Sequence, residues 1–246
     1  MDEYINLTPE NIDGEHLCCA IGDPKHKAGV DSKKEWLKQR LSEGHVFRKL
    51  NVKGKVFIEY APLESAWTPV NADNYIYIYC LWVSGRYKGS GYAKELLKYA
   101  LNDAKSSGKS GICTISSKKK KPFISDKKFF EHFGFKTADS VGDYELLALP
   151  FGNELPRFND CVRNAEIDSK DFTIYYSPQC PYAVNGIGEI SEYAKENGIP
   201  LNIVKVDSLE KAKQVPCIFN NWANFKDGKF ISNTLLNKNS FEKLIK

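Results

Sequence analysis

The segment Arg86-Tyr87-Lys88-Gly89-Ser90-Gly91 places two cations and two glycines directly ahead of a long helical pattern. The first N–H groups of a helix lack intrahelical acceptors, and the helix dipole adds partial positive charge there. Glycines let a diphosphate approach that backbone without a Cβ in the way. Arg86 and Lys88 would add full charges. The spacing therefore predicts a grip on a nucleotide diphosphate. The plainer alternative is a tight strand-to-helix connection that binds nothing. Two phosphate readers do not fit: this turn does not end in Gly-Lys-Ser/Thr, and Lys94 stands where a dinucleotide fingerprint needs a third small residue.

Several elements must hold that turn in place. Tyr75 to Val83 is rich in aromatic and β-branched residues and reads as a central strand leading into it. Ala93, Leu96, Leu97, Ala100, Leu101 and Ala104 recur at helical spacing behind it, and Gly108 ends that helix. Upstream, His16 to Ile21 reads as a short strand. Ser32 is positioned to cap a helix from about Lys33 to Glu43, with Glu35 in the first turn and Gly44 at the end. His45 to Leu50 and Lys55 to Tyr60 read as a hairpin. Downstream, Gly111 to Ser116 is a strand, and Ser125 or Asp126 opens a shorter helix that stops at Gly134. Phe135 to Ala138 and Tyr144 to Leu149 close this half. Prolines and a glycine between Pro150 and Pro156 mark the boundary. The expected domains are 1–150 and 168–246, joined by a linker over 151–167.

The run from Cys80 to Ala93 resembles the central motif of the GNAT superfamily, whose turn reads Arg/Gln-x-x-Gly-x-Gly/Ala; Arg86, Gly89 and Gly91 match it. The Gly-Phe ending of Phe129-Phe130-Glu131-His132-Phe133-Gly134-Phe135 is similar to the family's second signature. The resemblance covers roughly residues 1–150. It implies a mixed α/β (α+β) sheet flanked by helices, and transfer of an acetyl group from acetyl-CoA to an amine by direct attack on the thioester. It implies diphosphate contacts from Arg86, Tyr87, Lys88, Gly89, Ser90 and Gly91, and backbone pairing of the pantetheine arm with Leu81 and Val83.

The same resemblance raises the question of the proton carriers. The position where many members carry a tyrosine acid holds Phe130, and Ser116 and Ser117 replace a frequent asparagine. Tyr79, Cys80 and His132 are the candidate substitutes. Glu59, on the neighbouring strand, is the candidate base; on an alternating strand its ordinary role would be a solvent-facing carboxylate. Cys18, Cys19, Trp67 and Trp82 are candidates for the acceptor region, against the ordinary reading of each as core.

The C-terminal residues carry their own pattern. Strand-like runs at Phe172 to Tyr176 and Leu201 to Val206, a third opening at Val215 to Phe219, a hairpin on Asp227-Gly228 and a helix over Ser240 to Ile245 resemble a thioredoxin fold. Joined to a GNAT half, this resembles the YoaP-type acetyltransferases. Cys180, before a helix running to Glu196, takes the place of the nucleophilic thiol; Ala183 replaces the resolving cysteine, and Pro216 matches the family's cis-proline. A disulfide cycle through Cys-x-x-Cys is thereby excluded. Binding or structural use of Cys180 is favoured over redox turnover, with Cys217 a remote partner.

Composition sets the outer limits. The 246 residues are 42% hydrophobic and 27% charged, which suits a globular protein of two domains. The net charge of +4 does not point to nucleic acid. Lys118 to Lys121 form a cluster, read as solvated or as a contact for phosphates or an acidic substrate. No window suits a membrane span, and the acidic N-terminus does not read as a signal peptide. Seven scattered cysteines show neither metal spacing nor a disulfide framework, so the expectation is a metal-free cytoplasmic protein. The competing functions are a CoA-binding module without catalysis, suggested by Phe130, and a thiol-dependent protein acting through Cys180.

Overall fold

The computed structural model describes residues 3–17, 20 and 23–245. The chain packs as two compact units. One comprises Met1–Ile21, Leu37–Ala66 and Val70–Phe158; the other comprises Gly22–Trp36, Trp67–Pro69 and Asn159–Lys246.

The first unit contains β1 (Tyr4–Asn6), the end of α1 (Lys27–Leu41), β2 (Val46–Leu50), β3 (Val56–Pro62), β4 (Val70–Asn71), β5 (Tyr75–Val83), α2 (Tyr92–Ser106), β6 (Gly111–Ser117), α3 (Lys127–His132), β7 (Lys136–Val141), β8 (Tyr144–Pro150) and β9 (Arg157–Phe158). Seven strands form a mixed sheet in the order β1-β2-β3-β5-β6-β8-β7. All neighbours are antiparallel except β5 and β6. This is the mixed α/β sheet the sequence predicts.

One face of that sheet packs on helices. Leu96, Leu97, Ala100 and Ala104 of α2 and Phe130 of α3 share a core with Ile58, Tyr60, Ile76, Ile78, Ile112 and Leu147. The apolar stripe read from the sequence is the buried face of α2. Asp126 caps α3 by accepting from Phe129 N–H at 3.0 Å. Tyr60 donates to Asp103 of α2 at 2.6 Å, and burial pushes its phenol well above the usual tyrosine range.

Two expectations near α1 need correction. The helix starts at Lys27, behind a 3-10 turn over Pro24–His26 capped by Asp23. Ser32 and Glu35 therefore lie inside it, because Asp23 and Pro24 already supply the start signal. His16 and Leu17 are not in a strand, and Cys18, Cys19 and Ile21 lie outside the described residues.

The second unit holds β10 (Phe172–Tyr176), α4 (Pro181–Glu196), β11 (Leu201–Lys205), α5 (Leu209–Gln214), β12 (Trp222–Lys226), β13 (Lys229–Ser232) and α6 (Lys238–Ile245). Its sheet order is β11-β10-β12-β13, with β10 and β11 parallel and the other pairs antiparallel. Asp227 and Gly228 turn the β12–β13 hairpin with φ of 54° and 79°. Ile174, Ile190, Trp222 and Phe241 centre its core. The third strand begins at Trp222 and not at Val215. Val215 to Phe219 is irregular, with Cys217 N–H folded back onto Val215 C=O at 2.8 Å. No cis peptide bond occurs among the described residues, so Pro216 is trans, contrary to expectation. The backward bond closes a tight turn centred on Pro216, and Val215, at φ −55° and ψ 124°, stays out of the helical region that a following proline disfavours.

Candidate active site

β5 and β6 pair only from Tyr75–Gly111 to Tyr77–Cys113. β5 continues to Val83 and β6 to Ser117, so a cleft opens between two parallel strands beyond the last pair. Leu81 and Val83 lie on the β5 wall of that cleft, half-buried against the α2 core. Thr114, just past the fork, donates to Ile78 C=O at 3.0 Å.

The turn at the end of β5 is open. Gly85–Tyr87 form a 3-10 turn, with Tyr87 N–H bonded to Ser84 C=O and Lys88 N–H to Gly85 C=O. Those two amides are consumed inside the turn. Among the described residues, nothing takes up the amides of Gly89, Ser90 and Gly91. Gly89 and Gly91 have φ of 80° and 87°, the left-handed region that disfavours side chains. A Cβ on either would meet nothing within 4 Å. Gly91 is the N-cap of α2 and has no side-chain cap. The result is a cradle of donors beside a positive helix end.

Tyr87 is pinned by the β2–β3 hairpin, where its ring occupies the space a Cβ on Gly54 would need. Its hydroxyl accepts from Arg86 Nη2 at 2.9 Å, and the guanidinium lies 5.0 Å from the ring centre. Tyr87 thus aims the arginine. Lys118 donates to Gly142 C=O at 2.8 Å and Lys121 lies 3.4 Å from Asp143, so half of the lysine cluster is held by the β7–β8 turn.

The candidate proton carriers meet on the other face of the sheet. β3 and β5 pair with an irregularity: Glu59 opposes Cys80 and Tyr60 opposes Ile78, leaving Tyr79 as the extra residue of a bulge. Glu59, Tyr79 and Cys80 are therefore gathered just beyond the fork. Glu59 is fully buried, which corrects its reading as a solvent-facing carboxylate. Its Oε1 lies 3.1 Å from His45 Nε2. The Tyr79 ring stacks on His45, with centroids 5.1 Å apart and planes inclined by 28°. Cys80 is half-buried.

His45 was not legible as a site residue, because its partner lies across a hairpin. The remaining candidates are dispersed. Phe130 is 2% exposed and packs edge-on against Phe135, so it is a core residue. His132 is exposed beside Phe133. Ser116 and Ser117 donate to the carbonyls of Ser125 and Lys119, both at 2.7 Å. Trp82 is largely exposed, whereas Trp67 is buried edge-on to Trp36 in the second unit.

In the second unit, Cys180 is the N-cap of α4, with Pro181 at the first helical position. Its residue is 8% exposed, and Ala183 is fully buried. Gly29 packs on the Pro181 carbonyl so closely that a Cβ would lie 1.8 Å from the oxygen. Cys217 is fully buried, and burial pushes its thiol well above the usual range, with Cys161 adding to the effect. Cys161 donates to Lys213 and Val215 carbonyls at 3.5 Å.

Comparison with known proteins bears on both units. Residues 14–135 match the acetyltransferase (GNAT) family model, and residues 200–243 match the YoaP-like model. An uncharacterized N-acetyltransferase, YoaP, of Bacillus subtilis (strain 168) is 43% identical over 245 residues, covering 98% of each chain. Among solved structures, PaiA N-acetyltransferase of Thermoplasma acidophilum in complex with coenzyme A is 15% identical. The alignment covers 61% of this chain and 99% of that one, with a TM-score of 0.43. A GNAT-family acetyltransferase of Brucella melitensis, in complex with acetyl-CoA, is 16% identical over 65% of this chain and 95% of that one, with a TM-score of 0.40. No helix among the described residues is long and apolar enough to cross a membrane. By the near full-length match, the chain belongs to the GNAT acetyltransferases, with a YoaP-like C-terminal region.

Proposed function

We propose that the protein transfers the acetyl group of acetyl-CoA to an amine by direct attack on the thioester. The observation that carries this reading is the cradle at Gly89, Ser90 and Gly91, with its unclaimed amides and its empty space over both left-handed glycines. Arg86 and Lys88 supply charge to the diphosphate, and the β5 edge at Leu81 and Val83 receives the pantetheine arm. The thioester then reaches the bulge, where Glu59 serves as base. Tyr79 and Cys80 are the groups nearest to return a proton to the departing thiolate. A carboxylate whose environment is closed to solvent suits proton transfer.

For the second unit, we read residues 168–246 as a thioredoxin-like domain set off from a GNAT domain over 1–150. The sheet order β11-β10-β12-β13 with one parallel pair supports the thioredoxin-like part. Its Cys180 serves binding more readily than redox cycling, because Ala183 fills the resolving position. The described cysteines are thiols, which supports a cytoplasmic setting.

Calorimetry with CoA tests the cradle. Wild type should bind, and Arg86→Glu should weaken binding by about 30-fold through lost and reversed charge. Release of free CoA from acetyl-CoA across polyamines, aminoglycosides, amino acids and N-terminal peptides tests catalysis. Absence of CoA binding in wild type would overturn the proposal; binding without turnover of any amine would leave a CoA-binding module.

A further inference from the structure

We propose that His45 is a positioning residue for the acetyl transfer, holding Glu59 in place and in its ionised form as the base. The inference rests on the reading of Glu59 given above.

Local structure fixes the histidine first. Gly44, with φ of 84°, ends α1 by donating to Leu41 C=O at 3.2 Å, and His45 N–H donates to Arg40 C=O at 3.3 Å. This pair of bonds is the Schellman pattern, and it sets His45 directly after the negative end of the helix. The hairpin then fixes the carboxylate. Phe47 opposes Glu59, and His45 lies two residues before Phe47 on the same face. The two side chains are 1% and 0% exposed at a separation of 3.1 Å. A buried carboxylate needs a charged or donating partner to stay ionised. An imidazolium is also the charge that the end of α1 favours. Tyr79, stacked on the ring, closes the pair toward β5.

Tyr77 meets Tyr79 edge-on at 5.0 Å. Cys80 lies opposite Glu59. Lys49 is bonded to Glu15 at 2.6 Å and His16 at 3.2 Å. From the end of α1, Lys38 pairs with Asp13 and Arg40 with Glu43.

In the reaction, the acceptor arrives as an ammonium. One of its protons passes through an intervening water to the Glu59 carboxylate as the nitrogen bonds to the acetyl carbonyl carbon. The C–S bond breaks, and its electron pair leaves on the CoA sulfur. Tyr79 or Cys80 gives a proton to that thiolate and is refilled by the second nitrogen proton. The products are the amide, the CoA thiol and one proton, which returns to solvent when Glu59 resets. His45 keeps its own proton throughout.

Two measurements on the full chain test this. The first compares kcat/KM between pH 6.5 and 9, using acetyl-CoA and the best-used amine of the panel. His45→Gln keeps a hydrogen-bond donor but loses the charge, so the base is harder to ionise. We expect about a 30-fold loss at pH 6.5 that shrinks to within about threefold at pH 9, with CoA affinity unchanged. An unchanged profile, or a loss uniform in pH, overturns the role of His45. Glu59→Gln should abolish turnover at every pH while still binding CoA; its retaining turnover would overturn the base reading instead. The second measurement is ¹⁵N NMR of the four histidines. His45 should be an imidazolium at pH 8 in wild type and neutral in Glu59→Gln. A neutral His45 in wild type overturns the inference even if His45→Gln does not fold.

Discussion

Each unit of this protein contains a strand running into a helix through a short turn, and the two turns are built to opposite ends. Between β5 and α2, left-handed glycines face empty space, three amides are unclaimed among the described residues and two cations stand at the rim. Between β10 and α4, the N-cap is a nearly buried cysteine followed by proline. Gly29 lies against the Pro181 carbonyl, and Asn221, just ahead of β12, donates to Gln179 Oε1 in this loop at 2.9 Å. Both helices lack a side-chain cap, whereas α3 and α5 are capped by Asp126 and Ser208. A helix N-terminus is thus only potential. Access decides whether it grips an anion or packs.

The comparison can be broken where packing is tightest. Gly29→Ala pushes a methyl group onto backbone, and we expect a loss of about 3 kcal/mol in urea unfolding of the second unit; a near-neutral result would mean the Cys180 turn is not closed by α1. Next, Gly91→Asp places a carboxylate at the open turn. CoA affinity should fall about 100-fold, or ~2.8 kcal/mol, by calorimetry. A fall in stability of comparable size with affinity intact would show that the cradle is only a connection. Phe130→Tyr sharpens the assignment of proton carriers. Burying a hydroxyl in the α3 core should cost about 2 kcal/mol and give no gain in turnover; faster turnover would return that position to the site.

Smaller effects follow from the ordinary caps. Asp126→Ala and Ser208→Ala should each cost about 1 kcal/mol by thermal unfolding, with CoA affinity untouched. The smallest effect concerns Cys217. Burial raises its thiol, so the reactive thiolate appears only at pH well above the usual range. Iodoacetamide at pH 8 should leave it unlabelled in the folded protein and label it in urea, as read by mass spectrometry.

Much of the molecule was legible because its signals are local. The α2 stripe, the hairpin on Asp227-Gly228 and the Gly89–Gly91 turn each follow from neighbours in the chain. The start of α1 was misplaced because Ser32 looks like a cap, while the capping side chain belongs to Asp23. Val215 to Phe219 has strand-forming residues, but Cys217 folds back on Val215 and no ladder forms there. His45 was missed because nothing in its own segment marks it.

By itself, the sequence determined the apolar stripe of α2, the Asp227-Gly228 hairpin and the glycine-rich turn between β5 and α2, since backbone conformation, helix ends and alternation depend on residues close in the chain. Only the tertiary structure decided that Glu59 is buried against His45, that Phe130 is core and that Cys180 is enclosed. Burial depends on which distant surfaces meet, and the cost of placing a charge or thiol out of water is set by those neighbours rather than by its own residue type.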